Sequence, residues 1–347
     1  MTTSCEIIDP RNSDEWDGFV KSRRDATFFH TAAWVQVLCD SYGFTPRYIT
    51  LRDKNSIIAG LPVIAVHNLW GKLKAVSLPF SDFCDPLCSS DEQYEVLLTS
   101  AINLIKKKNW NILELRGGQK FLKDKPEWSY CFTHTLDLTQ PDKNLFSACH
   151  DSTRRNIKKA RNQSIKITHE TTLSALHEFY RLNALTRREH GLPPQPWFFL
   201  KKLFDFVISP GNGFISIAWV KNMAVAADFF VVTGDRALYK YGASNRKFQH
   251  LRPSNLLIWE GMLHCKALGA KSLNLGRTEP HHEGLLRFKR GLGCSEEKVA
   301  YFRYNCKNNM FQIKNDASGE GFSTKVLRHL PLFALKFIGK LSYKYVG

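Results

Sequence analysis

Long apolar runs are missing from this sequence. No run of about eighteen apolar residues occurs, and the first residues, MTTSCEIIDPRNSDEW, carry acids where a signal peptide needs an apolar core. The sequence therefore predicts neither a membrane span nor secretion. We expect a cytoplasmic protein.

Metal-binding motifs are also scarce. The nine cysteines are scattered without a CxxC pair, which is typical of reduced, mostly buried thiols. Cys84 and Cys88 in CDPLC have no matching Cys/His pair elsewhere. The adjacent His281 and His282 would point different ways, with no third ligand at helical spacing. No metal is expected.

Acidic residues are too few to balance the basic ones. With 49 Lys and Arg against 32 Asp and Glu, the net charge of +17 attracts polyanions and anionic surfaces. No zinc finger, RNP-like aromatic motif or clear helix-turn-helix accompanies this charge, so sequence-specific DNA binding is not expected. Shape and charge recognition of tRNA, anionic lipid and phosphate-rich small molecules stay open.

The second half has a regular order of elements. Apolar, β-branched runs at 214–220, 224–232 and 236–244 predict a three-strand meander. The segment 252–269 has Pro253 where a first helical turn tolerates it and ends on a glycine, which predicts a helix. The strand KSLNLG follows.

The first half repeats this order. Strand patterns at 46–52, 57–66 and 72–78 precede a helical pattern over 91–108 and the strand 111–118. We therefore predict an α/β (α+β) fold of two tandem domains, each a mixed sheet flanked by helices. The expected divisions are 1–140, 141–310 and a basic amphipathic tail, 311–347.

Several motifs, taken in order, resemble a known family. They are STRRNIKKA (152–160), TRREHGLPPQP (186–196), LYKYGASN (238–245), LRPSNLLIWE (251–260) and LNLGRTEPHHEGLLRFKRGLG (273–293), with TFFHTAAWVQVL (27–38) and LPFSDFCDPLC (78–88) in the first half. Together they resemble the FemABX-type aminoacyltransferases and the related FemAB-like acyltransferases of the GNAT superfamily.

The resemblance implies two GNAT-like domains that transfer an acyl or aminoacyl group to an amine, with no tightly bound cofactor. The donor is aminoacyl-tRNA and the acceptor a lipid-linked cell-wall precursor in the peptidoglycan-building members, whereas other GNAT proteins use acyl-CoA. This chain lacks both a heptad-bearing helical arm and a clear glycine-rich pyrophosphate loop. Both donors stay open.

The chemistry suggests catalytic candidates. Attack of an amine on an ester or thioester requires stabilisation of a carbonyl oxyanion and removal of a proton. Asp228 interrupts an apolar strand, so burial would raise its pKa and suit a general base, unless it faces solvent. Tyr241 would orient the carbonyl, or simply belong to a turn. Glu283 would anchor the amine or take its proton, or only cap a helix.

Substrate-binding candidates follow the last strand of the second half. If that strand ends at Gly276, Arg277 and Thr278 enter a cleft at the carboxyl edge of the sheet. The alternative for Arg277 is an ion pair with Glu279 or Glu283. Lys289, beside Arg290, would neutralise donor phosphates or lie on a solvated face.

Further substrate-binding candidates come from other segments. A helix expected from Ser152 onward presents a dense positive face that would bind phosphate or remain solvated. The resemblance implies that the loop TRREHGLPPQP lies near the acceptor cleft. Ser244 and Asn245 would assist Tyr241. These candidates are Arg154, Arg155, Arg187, His190, Ser244 and Asn245.

The tail STKVLRHLPLFALKFIGKLSYKYVG contains no acid. After Pro331 it would place Lys336, Lys340 and Lys344 on one helical stripe, with Leu335, Ile338 and Leu341 on another. Such a helix would rest on the anionic inner face of a membrane or pack back on the first domain.

The sequence therefore predicts an N-acyltransferase or aminoacyltransferase acting on a cell-envelope precursor of peptidoglycan or polysaccharide. The alternatives are an acyl-CoA-dependent N-acetyltransferase acting on a small amine, or a non-catalytic basic module binding RNA or anionic lipid. The first half has LRGGQK where the second has GRT, so one active cleft is expected.

Overall fold

The computed structural model describes residues 3–68, 71–314 and 322–345. The elements of the first part of the chain are β1 (Thr3–Ile8), α1 (Asp14–Ser22), α2 (Ala32–Tyr42), β2 (Thr45–Pro46), β3 (Tyr48–Asp53), β4 (Ser56–Leu61), β5 (Ile64–His67), β6 (Leu73–Val76), α3 (Asp91–Lys107) and β7 (Ile112–Arg116).

The second part follows after a loop. Its elements are β8 (Ser129–Asp137), α4 (Asp142–Ala148), α5 (Asp151–Arg161), β9 (Ile165–Glu170), α6 (Leu173–Glu189), α7 (Trp197–Leu203), β10 (Gly213–Val220), β11 (Met223–Thr233), β12 (Arg236–Ser244), α8 (Pro253–Ala267), β13 (Ser272–Thr278), α9 (Glu283–Arg290), β14 (Ser295–Asn305), β15 (Met310–Phe311), α10 (Phe322–Leu327) and α11 (Leu332–Ser342).

The chain divides into two compact units. Unit 1 contains the described residues up to Cys131, together with 298–314 and 342–345, and unit 2 contains 132–297 and 322–341. Most of β14 therefore belongs to unit 1, where it pairs antiparallel with β7.

Unit 2 is built on one mixed sheet. Its strand order is β8-β13-β12-β11-β10-β9, in which β12 and β13 are parallel and the other neighbours are antiparallel. Phe229 packs towards Phe179 of α6. The next residue, Phe230, faces α8, where Gly261 leaves no room for a side chain beside the ring. Helices therefore cover both faces.

Unit 1 contains two sheets. One has the order β1-β3-β4, and the other has β2-β5-β6-β7-β14 with β15 beside β14. The prediction of a single strand over 57–66 is wrong, because the run separates into β4 and β5 on either side of Pro62. Proline has no N–H to donate to a ladder, which favours a break at this point.

Capping residues set the ends of the predicted helices. The Ser90 side chain accepts from the Gln93 N–H at the start of α3, and Thr172 accepts from Ala175 at the start of α6. Pro253 opens α8 as predicted. The expected start of α5 at Ser152 is one residue late, since the helix begins at Asp151.

The tail helix forms after Pro331 as predicted, but its apolar stripe is divided. Leu335 is buried, Ile338 is half-buried and Leu341 is 51% exposed. The helix α11 lies within unit 2 up to Leu341, and Tyr343 contacts Phe80 within unit 1. Among the described helices, none combines the length and apolarity that crossing a bilayer requires.

Candidate functional site

An opening between two parallel strands marks the carboxyl edge of the unit 2 sheet. The ladder between β12 and β13 runs from Arg236 opposite Ser272 to Leu238 opposite Asn274 and stops there, although both strands continue. Ligands of open α/β sheets bind where neighbouring strands separate at this edge. The opening is therefore the first candidate for a binding site.

A β-bulge in β12 sets the side chains beside this opening. Phe229 pairs with Tyr241 whereas Phe230 pairs with Tyr239, so Lys240 is the extra residue. Because of this bulge, Tyr239 lies near Phe230 on the α8 face and Tyr241 lies near Phe229 on the α6 face. A bulge re-aims side chains in this way next to many active sites.

Asp228 lies on the α8 face of the sheet and is 3% exposed. Burial raises the pKa of its carboxyl well above the ordinary value, while the Tyr239 hydroxyl, which donates to Oδ1 at 3.4 Å, acts to lower it. Gly242 lies directly opposite, and a side chain there would collide with the Tyr239 hydroxyl. The buried carboxyl therefore favours its protonated form, and Tyr241 lies on the other face.

A second bulge lies in β13. Gly276 has φ +69°, which favours glycine, and its N–H donates to Asn274 Oδ1 at 2.8 Å. The Asn274 amide in turn donates to the hydroxyls of Thr133 and Thr135 in β8. The prediction that the strand ends at Gly276 is wrong, because β13 resumes its pairing and continues to Thr278.

Lys289 of α9 stabilises this bulge through hydrogen bonds to its main chain. The side chain is 2% exposed, and its ammonium donates to Gly276 O at 2.8 Å and Arg277 O at 3.1 Å. The charge therefore stabilises main-chain carbonyls and is not presented to solvent as the phosphate-binding hypothesis requires.

The two residues after Gly276 point in different directions. Arg277 is exposed and lies 3.5 Å from Glu279, the ion pair that the sequence offered as its alternative role. Thr278 is 2% exposed, and its hydroxyl has no hydrogen-bond partner among the described residues. A buried hydroxyl of this kind at the edge of an opening is suited to a ligand's polar atom.

A cavity of about 440 Å³ adjoins the carboxyl end of β13. Glu283 begins α9 as predicted, and Arg287 follows one turn later on the same face. Arg290 binds Glu296 through two contacts of 2.7 Å and lies over the Phe132 ring. The cavity is lined by Phe132, His150, Pro280, Glu283, Leu286, Arg287 and Arg290.

The end of β12 is fixed by a residue that sequence reasoning missed. Thr186 Oγ1 accepts from Ser244 N at 3.0 Å and donates to Ser244 O at 3.1 Å. Asn245 accepts from Lys247 N and so begins a 3-10 helix, which is the turn role foreseen as its alternative. A threonine inside a helical pattern gave no signal of this contact.

The remaining basic candidates do not line the cavity. Arg154 donates to Ser147 O and Cys149 O and joins α4 to α5, whereas Arg155 is exposed. Arg187 donates to Pro193 O at 3.3 Å. Partial burial, with the charges of Arg187 and Arg328, lowers the pKa of His190.

A histidine pair on the α8 face was also missed. The His169 ring stacks on His264 at 4.2 Å, and its Nδ1 lies 2.8 Å from the hydroxyl of Ser216, which pairs with Asp228 across the sheet. Burial, with the neighbouring His264, lowers the pKa of His169 to about 4. Among residues 3–68, 71–314 and 322–345, no three His, Cys, Asp or Glu side chains converge as a metal site requires.

Residues 147–290, within unit 2, match the family model described as an acetyltransferase (GNAT) domain. No curated protein matches the chain.

Solved structures share the fold over most of the chain. The crystal structure of FemX has a TM-score of 0.69 at 13% identity, over 86% of this chain and 97% of that chain. A tandem GNAT protein from the clavulanic acid biosynthesis pathway has a TM-score of 0.58 at 10% identity, over 88% of this chain and 99% of that chain. L-PGS from Bacillus licheniformis has a TM-score of 0.54 at 12% identity, over 93% of this chain and 98% of that chain. The predicted fold class is confirmed.

Proposed function

We propose, from the premise that this chain is an acyltransferase with the tandem GNAT fold of FemAB-like proteins, that unit 2 transfers an acyl or aminoacyl group to an amine of a cell-envelope precursor. The precursor belongs to peptidoglycan or polysaccharide synthesis. The observation that carries the proposal is the opening between β12 and β13 within the matched domain. The match of residues 147–290 to an acetyltransferase (GNAT) domain supports this proposal over the non-catalytic alternative.

The opening supports binding of the donor's acyl group. Beyond Leu238 the ladder between β12 and β13 ends, so the donor's acyl carbonyl would enter between the two strands. The donor carbonyl would then lie near the bulge that separates Tyr239 from Tyr241. The bulge is held by packing on both faces, which suits a preorganised site.

The start of α8 supports binding of donor phosphates. Arg246, Lys247 and Arg252 are exposed around the N-terminus of this fifteen-residue helix, directly after β12. A helix N-terminus and flexible cations attract phosphate groups without a glycine-rich loop. This arrangement suits the pyrophosphate of an acyl-CoA and also the phosphates of an aminoacyl-tRNA.

The cavity beside α9 supports binding of the acceptor. Arg287 offers a guanidinium group to a phosphate or carboxylate, and Glu283 offers a carboxylate to an amine, while the Arg290 guanidinium is held by Glu296. FemX and L-PGS share the fold, and the resemblance implies an acceptor of the cell envelope. A lipid-linked acceptor would place the reaction at the inner face of a membrane.

In the proposed reaction the acceptor nitrogen bonds to the donor carbonyl carbon, and the bond to the thiol sulfur or tRNA oxygen breaks. Glu283 takes the proton of the attacking amine, and the leaving group is protonated as it departs. Thr278 and Tyr241 orient the reacting groups. Asp228, buried against Tyr239, keeps the sheet beside the bulge in place or exchanges a proton with the Tyr239 hydroxyl.

The second candidate is an acyl-CoA-dependent N-acetyltransferase that acts on a small amine. The cavity volume of about 440 Å³ favours it, since a small acceptor would fill that space. The tandem GNAT protein shows that the same fold occurs outside cell-wall synthesis.

The experiment measures acyl transfer with acetyl-CoA and with aminoacyl-tRNA, using a UDP-linked muramyl peptide and a free amino sugar as acceptors. We expect Glu283→Gln to lose about a hundredfold in turnover. The matched control is Glu297→Gln, an exposed carboxylate in β14. Equal turnover of both variants would remove Glu283 from the reaction, and no transfer with any pair would overturn the proposed substrates.

A further inference from the structure

Helix α11 is anchored to unit 2 along one side. Leu335 is fully buried, and Gly339 lies so close to the main chain of Pro194 that a side chain would collide with its carbonyl oxygen. The ammonium of Lys336 lies 4.7 Å from the centre of the Tyr180 ring. These contacts fix which side of the helix faces outward.

The outward side is apolar. Phe333 is 77% exposed, Phe337 62% and Leu341 51%, and their spacing of four residues places them on one stripe opposite Leu335. Phe333 is the most exposed large apolar side chain in the described part of the chain. Single exposed apolar residues are ordinary, whereas a continuous stripe on an anchored helix marks an interaction surface.

The charges around the stripe are of one sign. Lys340 precedes Leu341 on the adjacent side of the helix and is exposed. The sequence from 322 to 347 contains no Asp or Glu. A second copy of this chain would bring like charges together, whereas the surface of an anionic bilayer offers phosphates beside an apolar layer.

We propose that α11 docks the protein on the surface of an anionic lipid bilayer, with Phe333, Phe337 and Leu341 inserted below the headgroups and Lys340 on a lipid phosphate. The helix lies in the plane of the membrane, since eleven residues are too few to span it. This docking does not depend on which acyl group unit 2 transfers.

The experiment is sedimentation of the full chain with large vesicles of phosphatidylcholine alone or mixed with an equal amount of phosphatidylglycerol. We expect binding to the mixed vesicles that weakens as salt rises. Phe333→Ser combined with Phe337→Ser should lower this binding about tenfold or more. Met223→Ser, at the start of β11, removes a side chain that is 50% exposed and should change nothing.

A further variant tests the charge without touching the apolar stripe. Lys340→Glu should lower binding to the mixed vesicles about fivefold or more and weaken its salt dependence. Lys123→Glu, an exposed lysine in unit 1, is the control. Thermal melting checks that each variant folds.

Three results would overturn the proposal. They are failure of the wild-type chain to bind mixed vesicles at low salt, binding by the phenylalanine variant equal to the wild type, and a concentration-dependent dimer that the phenylalanine variant abolishes. The last result would assign the stripe to a second copy of the chain.

Discussion

The ammonium nitrogen of Lys289 lies 2.8 Å from the carbonyl oxygen of Gly276 and joins α9 to the bulge of β13. Because of this bulge, the Arg277 side chain is exposed and the Thr278 side chain is buried. A buried lysine therefore controls the shape of the opening without reaching it.

Replacing this lysine tests that control. Lys289→Met keeps the aliphatic length but leaves two carbonyls without their buried donor, which should cost about 1–3 kcal/mol of unfolding free energy. Urea denaturation measures the loss, and acyl turnover should fall with it. Lys123→Met, on the surface, should stay near the wild type. Wild-type stability and turnover in Lys289→Met would contradict the assigned role.

The buried carboxyl of Asp228 makes a prediction about pH. A carboxyl whose folded pKa is raised contributes its full stability below about pH 4, and that contribution is lost as pH rises. Asp228→Asn should therefore be more stable than the wild type at pH 7, by about 1 kcal/mol or more, and equal near pH 4.

Unfolding of Asp228→Asn is followed at both pH values, with Asp124→Asn as an exposed control. Turnover separates two roles for Asp228. A stable variant with wild-type turnover assigns Asp228 to structure, whereas a stable variant with lost turnover assigns it to proton exchange. Lower stability at pH 7 would contradict the account of burial.

The half-buried His169 ring predicts the opposite pH dependence, a loss of stability as pH falls. Burial and the stacked His264 depress the folded pKa to about 4, so the unfolded chain takes up a proton first as pH falls below 6.5. Stability should decline between pH 6.5 and 4, by about 2 kcal/mol in total. His169→Gln should flatten this decline in thermal melting, whereas the exposed His329→Gln should not. An unchanged slope in His169→Gln would assign the decline to other groups.

Unit 1 contains a buried ionic cluster that makes a further prediction. Burial acts to raise the pKa of Glu114, but the charges of Arg116, Lys74 and Arg303 hold it at about 2. Its stabilisation is complete above pH 4.5 and is lost as pH falls towards 2. Glu114→Gln should cost about 3 kcal/mol at pH 7, since it leaves the buried Arg116 and the half-buried Lys74 and Arg303 uncompensated.

The control for Glu114 is the surface ion pair between Lys298 and Glu127, 2.7 Å apart. Glu127→Gln should cost under about 1 kcal/mol because both side chains are partly solvated. Equal losses in the two variants, measured by denaturant unfolding, would show that burial does not strengthen the Glu114 cluster.

The order of elements was predictable from local patterns. Pro253 and the glycine at 269 bracket α8, and the apolar alternation around Asp228 marks β11. The break at Pro62 was not recognised because apolar residues continue on both sides of it. The whole course of β14 could not be foreseen either, since pairing with β7 depends on contacts far apart in sequence.

The site was less predictable than the fold. Gly276 was correctly singled out, but its positive φ serves a bulge within β13 and not the end of the strand. Lys289 was identified as a charge, whereas its burial follows from the packing of α9. Thr186 and Tyr239 carry no sequence signal, because their roles arise from partners across the sheet. Bulges and side-chain directions are set by tertiary contacts.

The most direct test of the central claim is binding of the purified chain to acetyl-CoA, longer acyl-CoAs and aminoacyl-tRNA across a salt series. The account predicts saturable binding of at least one donor that depends on its acyl or aminoacyl group and persists at moderate salt. Binding that is abolished by salt and indifferent to the acyl group would contradict an acyl site between β12 and β13.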